Sequence, residues 1–233
     1  MVDELRQILK PQGLHLTEKQ YEQLSGYHFL LLDWNQRMDL TNVPPEEMPL
    51  RHYADCLLPL LREDLFVEGA SLVDVGSGAG FPGMPIAIAR PDHEVLLLDS
   101  LQKRCAFLQA VVDALGLPNV RVLHARAEDA ARGELRAAFD LAVARAVAPL
   151  RVLAEYLLPF VKVGGKAICW KGPAANEEQT QAKSALKLLG GSAEAPWVLP
   201  LEGQEHMLLT INKSAPTPVT YPRKAGTPAK KPL

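Results

Sequence analysis

Glycines two residues apart, Gly76, Gly78 and Gly80, follow an acid in the stretch Ser71-Leu-Val-Asp-Val-Gly-Ser-Gly-Ala-Gly-Phe-Pro-Gly-Met-Pro85. Glycine lets a backbone take positive φ and lie close against a ligand. Leu72, Val73 and Val75 read as a short buried strand with Asp74 near its carboxyl end, and Pro82 suits the first turn of the next helix. Strand, glycine turn and helix make the ligand-binding opening of a doubly wound α/β sheet. Dinucleotide-binding turns carry Gly-x-Gly-x-x-Gly, and here the sixth position is Phe81. Asp99 ends the second apolar run, 19 residues after Gly80. There a carboxylate faces the same crevice and can accept both ribose hydroxyls of a nucleoside. Ala127-Glu128-Asp129 follows the third strand, where an acid and a backbone amide can read an adenine edge. An ordinary helix N-terminus, which favours acids, accounts for the same residues equally well.

Arg145 ends the fourth strand, Phe139-Asp-Leu-Ala-Val-Ala-Arg145, at the edge of the same crevice. A cation closing an apolar strand is costly to bury without a partner, and ligands sit at this edge. Upstream, Arg51, His52 and Asp55 lie one helical turn apart and can share a face. An internal ion pair on a helix surface and a substrate site near the glycine turn explain them equally well. Other chemistries find no footing. Ala144-Arg-Ala-Val147 stands where exocyclic-amine methyltransferases carry Asn/Asp-Pro-Pro-aromatic. Cys169 falls inside a strand, which leaves a covalent cysteine mechanism without support. Neither a Ser-His-Asp arrangement nor HExxH is present.

The elements that must position these residues follow from periodicity. Residues 1–70 read as a helical extension. Thr17-Glu-Lys-Gln20 is a capping box with Leu16 and Tyr21 as its staple. The helix it opens runs through Tyr21, Leu24, Phe29, Leu31 and Leu32 to Trp34-Asn35, a spacing taken to bury one face. From 71 to 212 strands and helices alternate, the pattern of a mostly parallel sheet. Strands are expected near 71–75, 94–98, 120–124, 139–144, 166–170 and 205–212. Helices are expected near 82–90, 101–116, 149–161 and 176–189. Ser100 is the expected N-cap, and Gly116 the stop, of the helix following Asp99. Residues 213–233 form a basic tail, and prolines at 216, 218, 222, 228 and 232 should hold its end extended.

A chain of 233 residues, 48% hydrophobic, allows one large domain or one domain with an appendage. No apolar run approaches the ~18 residues of a membrane helix, and Met1-Val-Asp-Glu lacks the blocks of a secretion signal. Three separated cysteines without a CxxC pair suggest reduced thiols in a cytoplasm rather than zinc or disulfides. Within a net charge of −2, residues 212–233 carry +5 before the terminal carboxylate, which leaves −7 on the rest. A basic tail on an acidic body suits local contact with phosphates, and a solvated tail explains it as well.

The chain resembles the bacterial small-subunit rRNA guanine-N7 methyltransferase family along nearly its whole length. The resemblance rests on Trp34-Asn35 with Leu40-Thr41, Arg51-His52 with Asp55, and Asp74 through Gly83. It continues in Leu98-Asp-Ser with Lys103-Arg104 and Phe107-Leu108, in Arg145-Ala146, in Lys171-Gly172, and in the tail from Tyr221. Two positions depart from the family pattern: Asp39 replaces the usual Asn before Leu-Thr, and Glu205 precedes His206 where many members carry Arg. The resemblance implies a class I S-adenosylmethionine (SAM)-dependent methyltransferase fold, Rossmann-like and doubly wound. It implies methyl transfer to N7 of guanine 527, in the 530 loop of 16S rRNA, by a monomer that needs no membrane or metal. It assigns Gly76, Gly78 and Phe81 to the SAM pocket, Asp99, Ser100 and Leu101 to the ribose side, and Ala127 and Glu128 to the adenine. Arg145 falls at the junction of cofactor and RNA as the catalytic position, with Arg51, His52, Lys171, Arg223 and Lys224 on the substrate side. A SAM-dependent methyltransferase of another RNA or of a small molecule, and a non-catalytic rRNA-binding assembly factor, are the competing readings.

Overall fold

The computed structural model describes residues 1–201 and 206–233. Its sheet opens with β1 (Ser71–Val75), β2 (Glu94–Asp99), β3 (Val120–His124) and β4 (Phe139–Arg145). It continues with β5 (Val161–Lys171), β6 (Gly191–Ala193), β7 (Trp197–Val198) and β8 (Met207–Lys213). The order is β3-β2-β1-β4-β5-β8-β6, with β7 also on β8. The pairs β3–β2–β1–β4–β5 are parallel, whereas β8 lies antiparallel to β5. Because β1 and β4 neighbour one another, the chain reverses its winding between them. A crevice opens there beyond the strand carboxyl ends.

Alternation along the strands divides the core. Leu72, Leu97, Leu141, Val143 and Ile168 face one side, and Val73, Val75, Leu96, Leu98, Ala142 and Ala167 the other. On the first side lie α1 (Val2–Leu9), α2 (Glu18–Asn35), α3 (Asp55–Leu57), α4 (Gly83–Ala89) and α5 (Gln102–Leu115). A π-helical turn, Pro49–Ala54, runs directly into α3, and a 3-10 turn, Leu58–Leu61, follows it. The second face carries α6 (Ala127–Ala130), α7 (Leu150–Leu157) and α8 (Ala175–Leu188). The amino-terminal segment therefore shares one of the two helical layers over the sheet with α4 and α5.

The capping box forms as read: the Thr17 hydroxyl accepts from the Gln20 amide and the Gln20 side chain accepts from the Thr17 amide. In the helix that follows, Tyr21, Leu24, Tyr27 and Leu31 are buried, but Phe29 is 73% exposed. Tyr27 is three residues after Leu24 and four before Leu31, the spacing that stays on one face, and Phe29 falls across the helix from it. The strand expected at 166–170 starts earlier, at Val161, with a register irregularity against β4. The added strands β6 and β7, of three and two residues and each paired with β8, are too short to show alternation and lie outside the expected set. The tail is less extended than its prolines suggest, since Thr227–Lys230 forms a short helix, α9. Pro222 and Pro228 are buried, and Tyr221 and Leu233 pack on the second core face.

Tyr27 ties the amino-terminal layer to the glycine turn, its hydroxyl donating to the Ala79 carbonyl in a buried contact. Gly80, at φ +101, passes so close that a Cβ would stand 2.7 Å from that hydroxyl. Tyr27→Phe should cost about 1–3 kcal/mol, because the buried Ala79 carbonyl loses its donor. Urea unfolding compared with the wild type measures this directly.

Candidate active site

Arg145 is the convergence point of the crevice. It ends β4, and its side chain is only 14% exposed. Nη1 donates to Asp55 Oδ2 at 2.9 Å and to the Arg51 carbonyl at 3.0 Å. Nη2 lies 2.9 Å from His52 Nδ1. A guanidinium only donates, so Nδ1 must be the accepting nitrogen and the imidazole must be neutral. Burial, with the adjacent Arg145 charge adding to it, pushes the His52 pKa down to about 3. Its Nε2 then donates to the Thr41 hydroxyl, 2.7 Å away. Thr41 is held by Asn35, whose Oδ1 accepts from the Leu40 and Thr41 amides and whose Nδ2 donates to the Thr41 carbonyl.

Asp55 is fully buried, and its other oxygen accepts from His206 Nδ1 at 2.7 Å. Trp170 Nε1 donates to the Asp55 carbonyl at 2.9 Å. Beneath this network, Phe81 stacks on His52 at 4.4 Å between centroids, and the Arg145 guanidinium lies 5.0 Å from the same ring. Arg51, His52, Arg145, Trp170, Lys171 and His206 all line a cavity of about 550 Å³.

Across Val147, which lines both spaces, lies a narrower cleft of about 120 Å³. Its walls include Gly76, Asp99, Ser100, Ala127, Glu128 and Tyr156. Asp99 is buried, with one oxygen accepting from the Gly78 amide and the other from the Leu101 amide, each at 2.8 Å. A carboxylate has about four lone-pair sites, so capacity for ribose hydroxyls remains. Asp74 accepts from the Gly83 amide at 2.9 Å, and Gly83 must lack a side chain, because a Cβ would meet Asp74 Oδ2 at 2.7 Å. Asp74 Oδ1 is sealed from solvent with no hydrogen-bond partner among the described residues. Burial raises the Asp74 pKa to about 7. Asp74, Asp99 and Glu128 thus place three carboxyl groups around one glycine turn, two of them on the cleft.

A family model described as rRNA small subunit methyltransferase G matches residues 20–206. The chain belongs to the rRNA small subunit methyltransferase G family. A family protein from Clostridium perfringens (strain 13 / Type A) is 44% identical over 99% of this chain and 98% of its own length. One from Alkaliphilus metalliredigens is 46% identical over 95% and 94%. Among solved structures, the fold matches Aeropyrum pernix fibrillarin in complex with S-adenosyl-L-methionine. That match has TM-score 0.53 and 15% identity, over 68% of this chain and 73% of that one. The antibiotic-resistance methyltransferase Kmr matches with TM-score 0.50 and 19% identity, over 67% and 93%. Membership of the rRNA small subunit methyltransferase G family makes SAM the cofactor, on a class I methyltransferase fold.

Several expected site residues take other positions in this family member. Ser100 does not cap α5; the N-cap is Leu101, without a side-chain cap, and Asp99 receives the Leu101 amide instead. Leu101 itself is 51% exposed. Phe81 lies under Arg145 and His52 rather than in the narrow cleft. The Arg51 side chain turns outward to Glu47, and only its carbonyl serves Arg145. Lys171 donates to the Ala148 carbonyl at 2.7 Å and to Glu178 at 2.8 Å, bracing the loop after β4. Arg223 is committed to Glu155, while Lys224 stays exposed. Glu205, one of the two departures from the family pattern, lies outside the described residues. The sequence reading missed the central part of Asp55 and the roles of His206 and Tyr156. Asp55 alone left a signal, its spacing from Arg51 and His52.

The Asp74 shift sets a pH dependence. Its folded pKa lies above the unfolded 3.8, so its contribution to stability is fully present below about pH 4 and is lost as pH rises through 7. Relative to Asp74→Asn, the wild type should lose at most about 1.4 kcal/mol per pH unit across that window. Denaturant unfolding of both proteins at pH 5 and pH 8 reads out the difference.

Proposed function

We propose that the chain transfers the methyl group of SAM to N7 of a single guanine in the 530 loop of 16S rRNA. The observation that carries this reading is the composition of the larger cavity. His52, Arg145, Lys171 and His206 line it; Lys171 is paired with Glu178, the acid among its lining residues, and the Arg51 side chain turns away to Glu47, which leaves the Arg145 guanidinium as its principal donor. Such a wall suits a polyanion presenting acceptors, and guanine offers N7 and O6 as acceptors. N7 carries a lone pair and no proton, so a site without a free base is adequate for it.

Bound SAM supplies an electrophilic methyl group on a positively charged sulfur. The protein's part is alignment. Asp99 and Glu128 would hold the nucleoside end, and Asp74, enclosed beneath the glycine turn, would fix that turn through the Gly83 amide. Arg145, clamped by Asp55 and backed by Phe81, lines the larger cavity two residues before Val147, the wall shared with the cleft, and would orient the acceptor through its remaining donors. His52 stays neutral through the physiological range and adds no charge beside the cationic purine that forms. The proposed setting is the cytoplasm, where small-subunit rRNA is made, and the acting form a monomer.

Mass spectrometry of 16S rRNA nucleosides after incubation with the protein and SAM should find N7-methylguanosine at one position. Methylation at another atom would overturn the assignment. Single-turnover methyl transfer at saturating SAM should vary less than about threefold between roughly pH 6 and 9, because no acceptor proton has to leave. Arg145→Lys should recover only part of the rate lost in Arg145→Ala, since a lysine lacks the planar fork that spans two acceptors.

A further inference from the structure

The proposed chemistry has no part for the carboxyl-terminal tail, yet the tail is clipped to the wall of the cofactor cleft. Arg136 donates to the Thr217 carbonyl at 2.7 Å and to the Tyr221 carbonyl at 2.8 Å, and Arg132 to the Pro222 carbonyl at 2.9 Å. Arg223 then places its amide, Nε and Nη2 on Glu155, a carboxylate with no exposure at all. The neighbouring Tyr156 lines the narrow cleft. Three residues further on, the Gly226 amide donates to Glu128 Oε1 at 2.7 Å. Glu128 is 4% exposed, and its Oε2 makes no hydrogen bond to a described residue. Oε2 is also absent from the sealed polar atoms, so it remains open to the cleft.

We propose that the tail is a positioning strap for the adenine subsite: Gly226 fixes one oxygen of Glu128 so that the other receives the 6-amino group of the purine. The proposal rests on the reading of this cleft as the adenosine side of the SAM site. A carboxylate only accepts, so it favours a 6-amino purine and repels a 6-oxo purine, whose C6 oxygen is itself an acceptor. A carboxylate free to swing would make that distinction poorly. Arg223, planted on a buried carboxylate three residues upstream, keeps the Gly226 amide at its post. Arg223 and Gly226 are thus positioning residues, acting on the ligand through Glu128.

The test uses full-length variants titrated calorimetrically with S-adenosylhomocysteine and with S-inosylhomocysteine. Gly226→Pro deletes the donating N–H and also forces the backbone out of its left-handed φ of +79, so the strap is released at that point. Arg223→Lys keeps a cation on Glu155 but loses the fork, which preserves folding if Gly226→Pro does not. Both variants should lose about tenfold or more of the preference for the adenosyl ligand, with affinity for the inosyl ligand nearly unchanged. Parallel weakening of both ligands would mean a merely structural strap and would overturn the proposal. Glu128→Gln separates the two levels. If it abolishes the preference while the strap variants retain it, the strap proposal fails alone. If it retains the preference, the adenine reading fails and the strap proposal with it.

Discussion

A buried arginine meets a fully buried carboxylate where four separate parts of the chain come together. Arg145 comes from the sheet, Asp55 and His52 from the helical turns before β1, Phe81 from the glycine turn, and His206 from just before β8. Burying both charges costs several kcal/mol per ion, and the cost is recovered only when the remaining donors and acceptors are satisfied. Here most of them are: Asp55 serves Arg145 and His206, and Arg145 also reaches the Arg51 carbonyl and His52. The pair therefore works as a register pin. The amino-terminal helices cannot shift along the sheet without stranding a charge.

That constraint explains why the amino-terminal segment is a layer of the enzyme rather than an appendage. Asn35 shapes the loop that presents Thr41, Thr41 receives His52, and His52 backs Arg145. Tyr27 reaches the glycine turn from the same layer. The narrow cleft and the larger cavity thus share their supports, and Val147 forms a wall common to both. A sulfonium and its acceptor must be aligned in line, and alignment demands that the two spaces cannot drift relative to one another. The tail closes the remaining side. Its charges divide by burial: Lys213 is enclosed and donates to the Leu158 and Leu189 carbonyls, and Arg223 pairs with Glu155. Lys224, Lys230 and Lys231 remain exposed.

Local rules were enough to read much of this molecule from its sequence. The glycine turn, the parallel core strands, the capping box at Thr17 and the left-handed stop at Gly116 each depend on neighbours within a few residues. Asp99 and Arg145 were legible because strand ends in this kind of sheet converge on one crevice. Family membership was legible because motifs spread over the whole length need no geometry to be recognised. The tertiary structure alone decided which partner each polar group takes. Asp55 and His206 are 151 residues apart, as are the two ends of no helix or turn. Nothing in the spacing of Arg223 pointed to Glu155, and nothing in Lys171 pointed to the Ala148 carbonyl. Charge and periodicity describe what a residue can do, whereas burial selects the partner, since an enclosed charge has only the neighbours the fold supplies.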